Sequence, residues 1–314
     1  MVSARALELL VILDGASEPL RARPTSLERA RTPVLDRLAA EGAVTALGTV
    51  PPGLPAGSET AIPGLLGWVP DAPVDRGAIE AAAHGVEIGP GERAWRVDRR
   101  DRVDAAATAP LLASLLSGYR VQHLAGHRML LVGADSEPDD PELWKLDIGF
   151  FVWPRGALPP RVLDHRTVVI GARGAAIGIA RLMGASTIVP PGATGRPGSD
   201  LAAKAQAALT AIEHRAARVV VHVGAPDEAA HERDAAAKVA SIEAADAQLL
   251  APLAEELRRR GGKLRVCPDH GCDPATGAHD ETPVPCLDWP TVEASSSARL
   301  TERAILTQPA PVAA

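Results

Sequence analysis

The chain has 314 residues, 46% of them hydrophobic, which is enough for one large α/β core with room for a smaller insert. A formal net charge of −6 and an aromatic content of 3% leave neither a basic stripe for a phosphate backbone nor a stacking surface for bases, so nucleic acid is not an expected partner. The three cysteines, Cys267, Cys272 and Cys286, are odd in number and lack CxxC spacing, which suggests neither a disulfide framework nor a cysteine zinc site.

From the N-terminus, LELLVIL (7–13) is an apolar run that ends at Asp14-Gly15. It is too short to span a bilayer and has no signal-cleavage pattern, so it reads as a first buried strand and no membrane partner is expected. A reducing, cytoplasmic setting is the matching expectation. Residues 26–41 read as a helix with Ser26 at its N-cap, broken early by Pro33. PPGLPAG (51–57) is a loop, and a helix is expected to start at Ser58. Residues 71–150 change texture: charges cluster in GERAWRVDRRDRVD, a helix is expected at 107–117 and a strand at 129–132, so this stretch reads as a small inserted domain. Strands are then expected at 167–172, 186–190, 217–223 and 263–268. Helices fall between them around 174–183, over DLAAKAQAALTAIEH, and over 234–260, which stops at Gly261-Gly262. Strands alternating with helices imply parallel pairing through right-handed crossovers.

Five places put metal-binding or nucleophilic residues where an expected strand has just ended, the edge at which open α/β sheets build their sites. Asp14 follows the first strand, where an aspartate before glycine also serves as an ordinary turn residue. Ser58 in PAGSET opens a helix, either as a plain cap or as a nucleophile beside free N–H groups that favour a phosphoryl group. Asp227 and His231 in APDEAAH are four apart, which puts both on one helical face. Asp269-His270 follow KLRVCP, and His279 lies in the loop GAHDETPVP, where a lone histidine is otherwise a solvated side chain. Together they form the mixed carboxylate and imidazole set that suits Zn²⁺ or Mn²⁺. Two such ions would lower the serine's effective pKa and clamp phosphoryl oxygens during in-line displacement.

The succession VILDG, TSLERARTPVLDRLAAEG, PAGSET, VPPGATG, VVVHVGAPDEAAHERDAAAKVASIEAAD and PDHGCDPATGAHDETPVP resembles the archaeal-type cofactor-independent phosphoglycerate mutases, of the alkaline phosphatase superfamily. The resemblance covers roughly the first 70 residues and nearly all of 170–290. It implies an α/β fold with a mostly parallel sheet sandwiched by helices, an alkaline-phosphatase-like core over 1–70 and 151–314, and a reduced α+β substrate-binding insert over 71–150. It implies two divalent ions, Mn²⁺ or Zn²⁺, one held by Asp14, Ser58, Asp269 and His270 and the other by Asp227, His231 and His279. Ser58 would take the phosphoryl group and return it to the other hydroxyl of the glycerate. Glu59 stands where the family usually has an aspartate.

Within the insert, DRGAIEAA, AWRVD and AGHRMLLV resemble family segments whose arginines, here Arg76, Arg96 and Arg128, bind substrate. Arginine's planar fork suits carboxylates and phosphates, although each of the three also reads as a solvated surface residue. Between Arg96 and Leu111 the family has a longer stretch with an aspartate and a histidine that act on substrate. This chain has only DRRDRVDAAATAP there, leaving His84, His123 and His127 as candidates. The expected activity is interconversion of 2- and 3-phosphoglycerate. Hydrolysis of another small phosphate ester, by a phosphatase or phosphodiesterase, is the alternative that the shortened insert favours. A non-catalytic binding protein would show a broken ligand set, and none is seen.

Overall fold

The computed structural model describes residues 7–136, 138, 148–291, 299–309 and 311. In β1 (Glu8–Leu13) the side chains alternate: Leu9, Val11 and Leu13 enter one apolar cluster, Leu10 and Ile12 another. A strand buried on both faces belongs inside a sheet covered by helices on each side. Accordingly β1 lies within a seven-stranded sheet of order β2 (Ala43–Leu47), β13 (Val284–Trp289), β10 (Lys263–Cys267), β1, β9 (Arg218–Val223), β7 (Thr167–Ile170) and β8 (Ser186–Ile188). The five strands from β10 to β8 run parallel, while β13 is antiparallel to both β10 and β2. The mostly parallel, helix-covered α/β sheet expected from the sequence is the fold observed.

One face of the sheet packs against α1 (Ser26–Arg29), α2 (Pro33–Glu41), α7 (Leu201–Glu213), α9 (Ala235–Ala244) and α10 (Ala251–Arg260). The other packs against α3 (Ser58–Leu65), α4 (Arg76–His84) and α6 (Ala175–Met183). Two local expectations need correction. The helix expected over 26–41 is two helices, capped by Thr25 rather than Ser26: the Thr25 hydroxyl accepts from Glu28 N at 3.2 Å while Glu28 Oε2 accepts from Thr25 N at 2.8 Å. Pro33 opens α2 instead of breaking a helix, because a first-turn residue needs no N–H partner. The helix expected over 234–260 is interrupted by a π-helical turn at Ala245–Leu250, directly before α10, which carries Pro252 in its first turn.

A second, antiparallel sheet of order β4 (Arg120–Ala125), β5 (Arg128–Ala134), β3 (Glu92–Arg99) and β6 (Phe150–Val152) lies in the charge-rich stretch and runs just past residue 150. The helix α5 (Thr108–Leu115) covers one of its faces through Leu112. On the other side α4 is shared, giving Ile79 to the main core and Ala81 to the second sheet's cluster. Among the described residues, no helix is long and apolar enough to cross a membrane.

Candidate metal centre and active-site cavity

Strand register builds the site. β1 pairs in parallel with β9 and β10, with Ile12 opposite both His222 and Cys267. The residues that follow the three strands therefore come level at the carboxyl edge of the sheet. Asp14 follows β1, and Asp269-His270 follow β10. Asp227 and His231 lie in α8 (Ala225–His231), directly after β9. Gly15 has φ +57°, and a Cβ there would meet Asp227 Oδ1 at 2.5 Å, so a glycine lets these two turns approach. His279 arrives on a short ribbon of β11 (Gly271–Asp273) and β12 (Ala278–Asp280).

The seven candidate ligands converge in two groups. Ser58 Oγ lies 3.2 Å from Asp14 Oδ1 and 3.5 Å from His270 Nε2. His270 Nε2 is 3.4 Å from Asp14 Oδ1 and 3.7 Å from Asp269 Oδ2. Beside them, Asp227 Oδ2 is 3.2 Å from His231 Nε2, and Asp227 Oδ1 is 3.4 Å from His279 Nε2. The Nε2 atoms of His231 and His279 are 3.0 Å apart. Their other ring nitrogens face carbonyls, His231 Nδ1 at 2.9 Å from Gly277 O and His279 Nδ1 at 2.8 Å from Ala56 O. Each carbonyl favours a ring that donates from Nδ1 and leaves Nε2 free to ligate.

The electrostatics reflect crowded, buried carboxylates. Burial and the Asp227 charge push Asp14 up, yet the neighbouring imidazoles of His222 and His270 outweigh them and hold its carboxyl well below the usual range. Asp227 likewise stays low because His231 and His279 outweigh its burial. Asp269 is pushed up to about 6, by burial first and the Asp14 charge second. Burial opposes protonation of His270, but Asp269, Asp14 and Asp227 raise it well above an ordinary imidazole; the hydrogen bond to Asp227 raises His231.

A cavity of about 510 Å³ opens over these groups, with Asp14, Ser58, Asp227 and His231 in its lining. Arg76 and Arg128 also line it, joined by Arg102, Arg173 and Arg196. Arg76 Nη1 donates to Glu59 Oε2 at 2.8 Å, tying α4 to the residue after Ser58. Arg128 Nη2 donates to Glu228 Oε1 at 3.1 Å, tying the second sheet to α8. Arg96 does not line the cavity. It is 4% exposed and committed to Glu80 at 2.8 Å and Asp98 at 2.9 Å, with its guanidinium 5.0 Å from the Trp153 ring centroid. Of the three insert histidines, His127 is in the lining and His84 and His123 are not.

Residues 8–312 match the family described as the Metalloenzyme superfamily. A 2,3-bisphosphoglycerate-independent phosphoglycerate mutase of Archaeoglobus fulgidus is 30% identical over 89% of this chain and 88% of its own. The chain belongs to this superfamily, among the archaeal-type cofactor-independent phosphoglycerate mutases. Two solved structures share the fold: a Pyrococcus horikoshii protein with TM-score 0.79 and 21% identity, covering 96% of this chain and 92% of that one, and the cofactor-independent phosphoglycerate mutase of Thermoplasma acidophilum, with TM-score 0.60 and 18% identity, covering 98% and 96%.

Three polar atoms of this mutase-family site fit a divalent cation in a direct way. Asp227 Oδ1, Asp269 Oδ2 and His222 Nε2 are buried without a hydrogen-bond partner. An unpaired buried carboxylate oxygen is costly, and a cation among such atoms removes that cost. The donor set is that of a divalent-metal site. Sequence reading overlooked His222, whose Nε2 lies 3.3 Å from Asp14 Oδ2. The available signal was a histidine inside the apolar run of the strand RVVVHV, on the face shared with Val220 and α3. Arg102, Arg173 and Arg196 gave no comparable signal, since loop arginines are ordinarily solvated.

Proposed function

We propose that this chain transfers a phosphoryl group through Ser58 and interconverts 2- and 3-phosphoglycerate, the reaction class named for its relatives. The placement of Ser58 Oγ within 3.5 Å of both Asp14 Oδ1 and His270 Nε2, in the lining of a cavity that also holds several arginines, carries this reading. Asp14, Ser58, Asp269 and His270 hold one divalent ion, and Asp227, His231 and His279 a second, Mn²⁺ or Zn²⁺. Bound ions supply charge that favours the ionised serine and offsets the phosphoryl oxygens. As the Ser58 oxygen bonds to phosphorus and the ester bond breaks, the serine gives up its hydroxyl proton and the departing substrate oxygen takes up a proton, leaving as an alcohol. Arg76 and Arg128 hold the anionic groups of the substrate, Arg76 being aimed by Glu59. The alcohol then turns and accepts the group on its other hydroxyl, restoring Ser58. In this reading residues 1–70 and 151–314 supply the ligands and the nucleophile, and 71–150 supplies substrate arginines. Three buried free thiols suit a reducing, cytoplasmic setting.

A second reading, transfer from Ser58 to water, is favoured by Arg96: its commitment to Glu80 and Asp98 removes one arginine from the cavity. One preparation, loaded with Mn²⁺ or Zn²⁺ and given 3-phosphoglycerate, separates the two. Isomer appearance without phosphate is the expected result. Stoichiometric phosphate without isomerisation would replace the mutase with a phosphatase.

A further inference from the structure

We propose that Cys272 is a fourth protein ligand of the ion held by Asp227, His231 and His279, making that site a sulfur-bearing one that prefers Zn²⁺ or Co²⁺ to Mn²⁺. The proposal rests on the two-ion reading above and adds a ligand to it. Cys272 Sγ and one ligand atom from each of the other three residues all lie within 4.8 Å of one another. Two elements produce this arrangement. Helical spacing brings Asp227 and His231 to one face of α8. The β11–β12 ribbon places Cys272 directly across from His279, so both side chains leave the same face of the ribbon as neighbours. The four donors thus come from two rigid pieces, two from each.

Independent contacts fix the cysteine. Its N–H donates to Ser17 O at 2.8 Å, and its carbonyl accepts from Lys238 Nζ at 2.6 Å. Lys238 is fully buried and also donates to Ser17 O at 3.0 Å and Glu18 Oε2 at 3.2 Å, so the β11 backbone is anchored from behind. Asp227 is 8% exposed and its Oδ1 has no hydrogen-bond partner, a buried acceptor facing the group. On binding, the thiol releases its proton to solvent as the sulfur–metal bond forms. Thiolate is the softest donor in the set, and softness shifts a carboxylate–imidazole site away from Mn²⁺ and toward Zn²⁺ or Co²⁺.

Titrating the full-length, metal-free chain with Co²⁺ tests this without reference to turnover. The expected spectrum contains an intense near-ultraviolet sulfur-to-cobalt charge-transfer band that saturates with one bound ion. Cys272→Ser is expected to abolish the band and weaken Zn²⁺ by at least about tenfold, with a much smaller change for Mn²⁺. Cys267→Ser is expected to keep the band. Cobalt bound by the unmutated chain without the band would overturn the proposal and leave the two-ion reading standing. A chain that binds no divalent ion would overturn both. Because the unmutated spectrum is itself decisive, a folding defect in the variant cannot obscure the outcome.

Discussion

Ser58 and His222 make different demands on the same carboxylate. Ser58 Oγ donates to Asp14 Oδ1, while His222 Nε2 lies against Asp14 Oδ2. Ser58→Ala removes the nucleophile and leaves Asp14, Asp269 and His270 in place. The expected outcome is a loss of phosphoryl transfer of about a thousandfold or more, with metal content retained by elemental analysis. Retained turnover in the metal-loaded variant would exclude the serine route. His222→Ala instead loosens Asp14, and the metal affinity of its group is expected to fall about 10- to 100-fold, read by chelator competition. The pH response follows from the same residues. In the metal-free protein His231 and His270 hold protons more tightly than ordinary imidazoles, and each must lose its proton to ligate. Metal affinity should therefore be full at alkaline pH and weaken as pH falls through those raised values. Calorimetry in buffers of different ionisation enthalpy should show protons released on binding. Most of these residues were legible in the sequence because each follows an apolar run. His222 and Cys272 were not: one hides inside a strand, and the other acquires its neighbours only through cross-strand pairing, which no local spacing encodes.

Helices and strands keep those side chains in register, and two buried polar residues of the segment 235–260 do much of the fastening. Asp246, 1% exposed in the π-helical turn, accepts from Val34 N at 3.1 Å and Leu35 N at 2.8 Å, capping α2 from another element. One turn beyond Asp234, Lys238 ties α9 to Ser17, Glu18 and Cys272. Lys238→Met should destabilise the fold by about 3–5 kcal/mol, because it removes the cation from the buried Glu18 carboxylate and a donor from the carbonyls of Ser17 and Cys272. Urea unfolding followed by circular dichroism measures this, and a change under about 1 kcal/mol would show that water or Ser26, which donates to Glu18 Oε2 at 2.7 Å, takes over the role. The sequence made the helical periodicity of 234–260 plain. The π turn escaped it because its cause is partly tertiary: Pro252 withdraws a backbone donor, and Asp246 is held by α2, over 200 residues away in the chain. The strand order of the main sheet has the same character. Alternation marks β1 as doubly buried, but only the assembled sheet places β10 and β9 on either side of it.

At the scale of the whole molecule, the two sheets meet through α4, and there is no slack in the joint. α4 packs against β3 at Gly77, where an added Cβ would overlap the Ala94 carbonyl. It packs against α6 at Gly178, where a Cβ would overlap the Ile79 carbonyl. Arg181 of α6 donates to Ala82 O at 2.7 Å and Ala83 O at 3.2 Å, which fixes the C-terminal end of α4. The helix carries Arg76 into the cavity at its first residue and holds Arg96 out of it through Glu80. Gly178→Ala lies in the main core and touches none of the candidate ligands, yet its methyl must push α4 away, and with it Arg76 and the Glu59 contact. Overpacking of this kind costs about 1–3 kcal/mol, and displacement of a binding group by an ångström-scale shift lowers kcat/KM by about 10- to 100-fold. Metal affinity should not change, because β1, β9 and β10 are untouched. Parallel measurement of metal binding and substrate kinetics on this one variant separates the two sheets' contributions. Metal affinity that falls together with kcat/KM would mean that α4 supports the metal groups themselves, and the division of labour between the sheets would have to be redrawn.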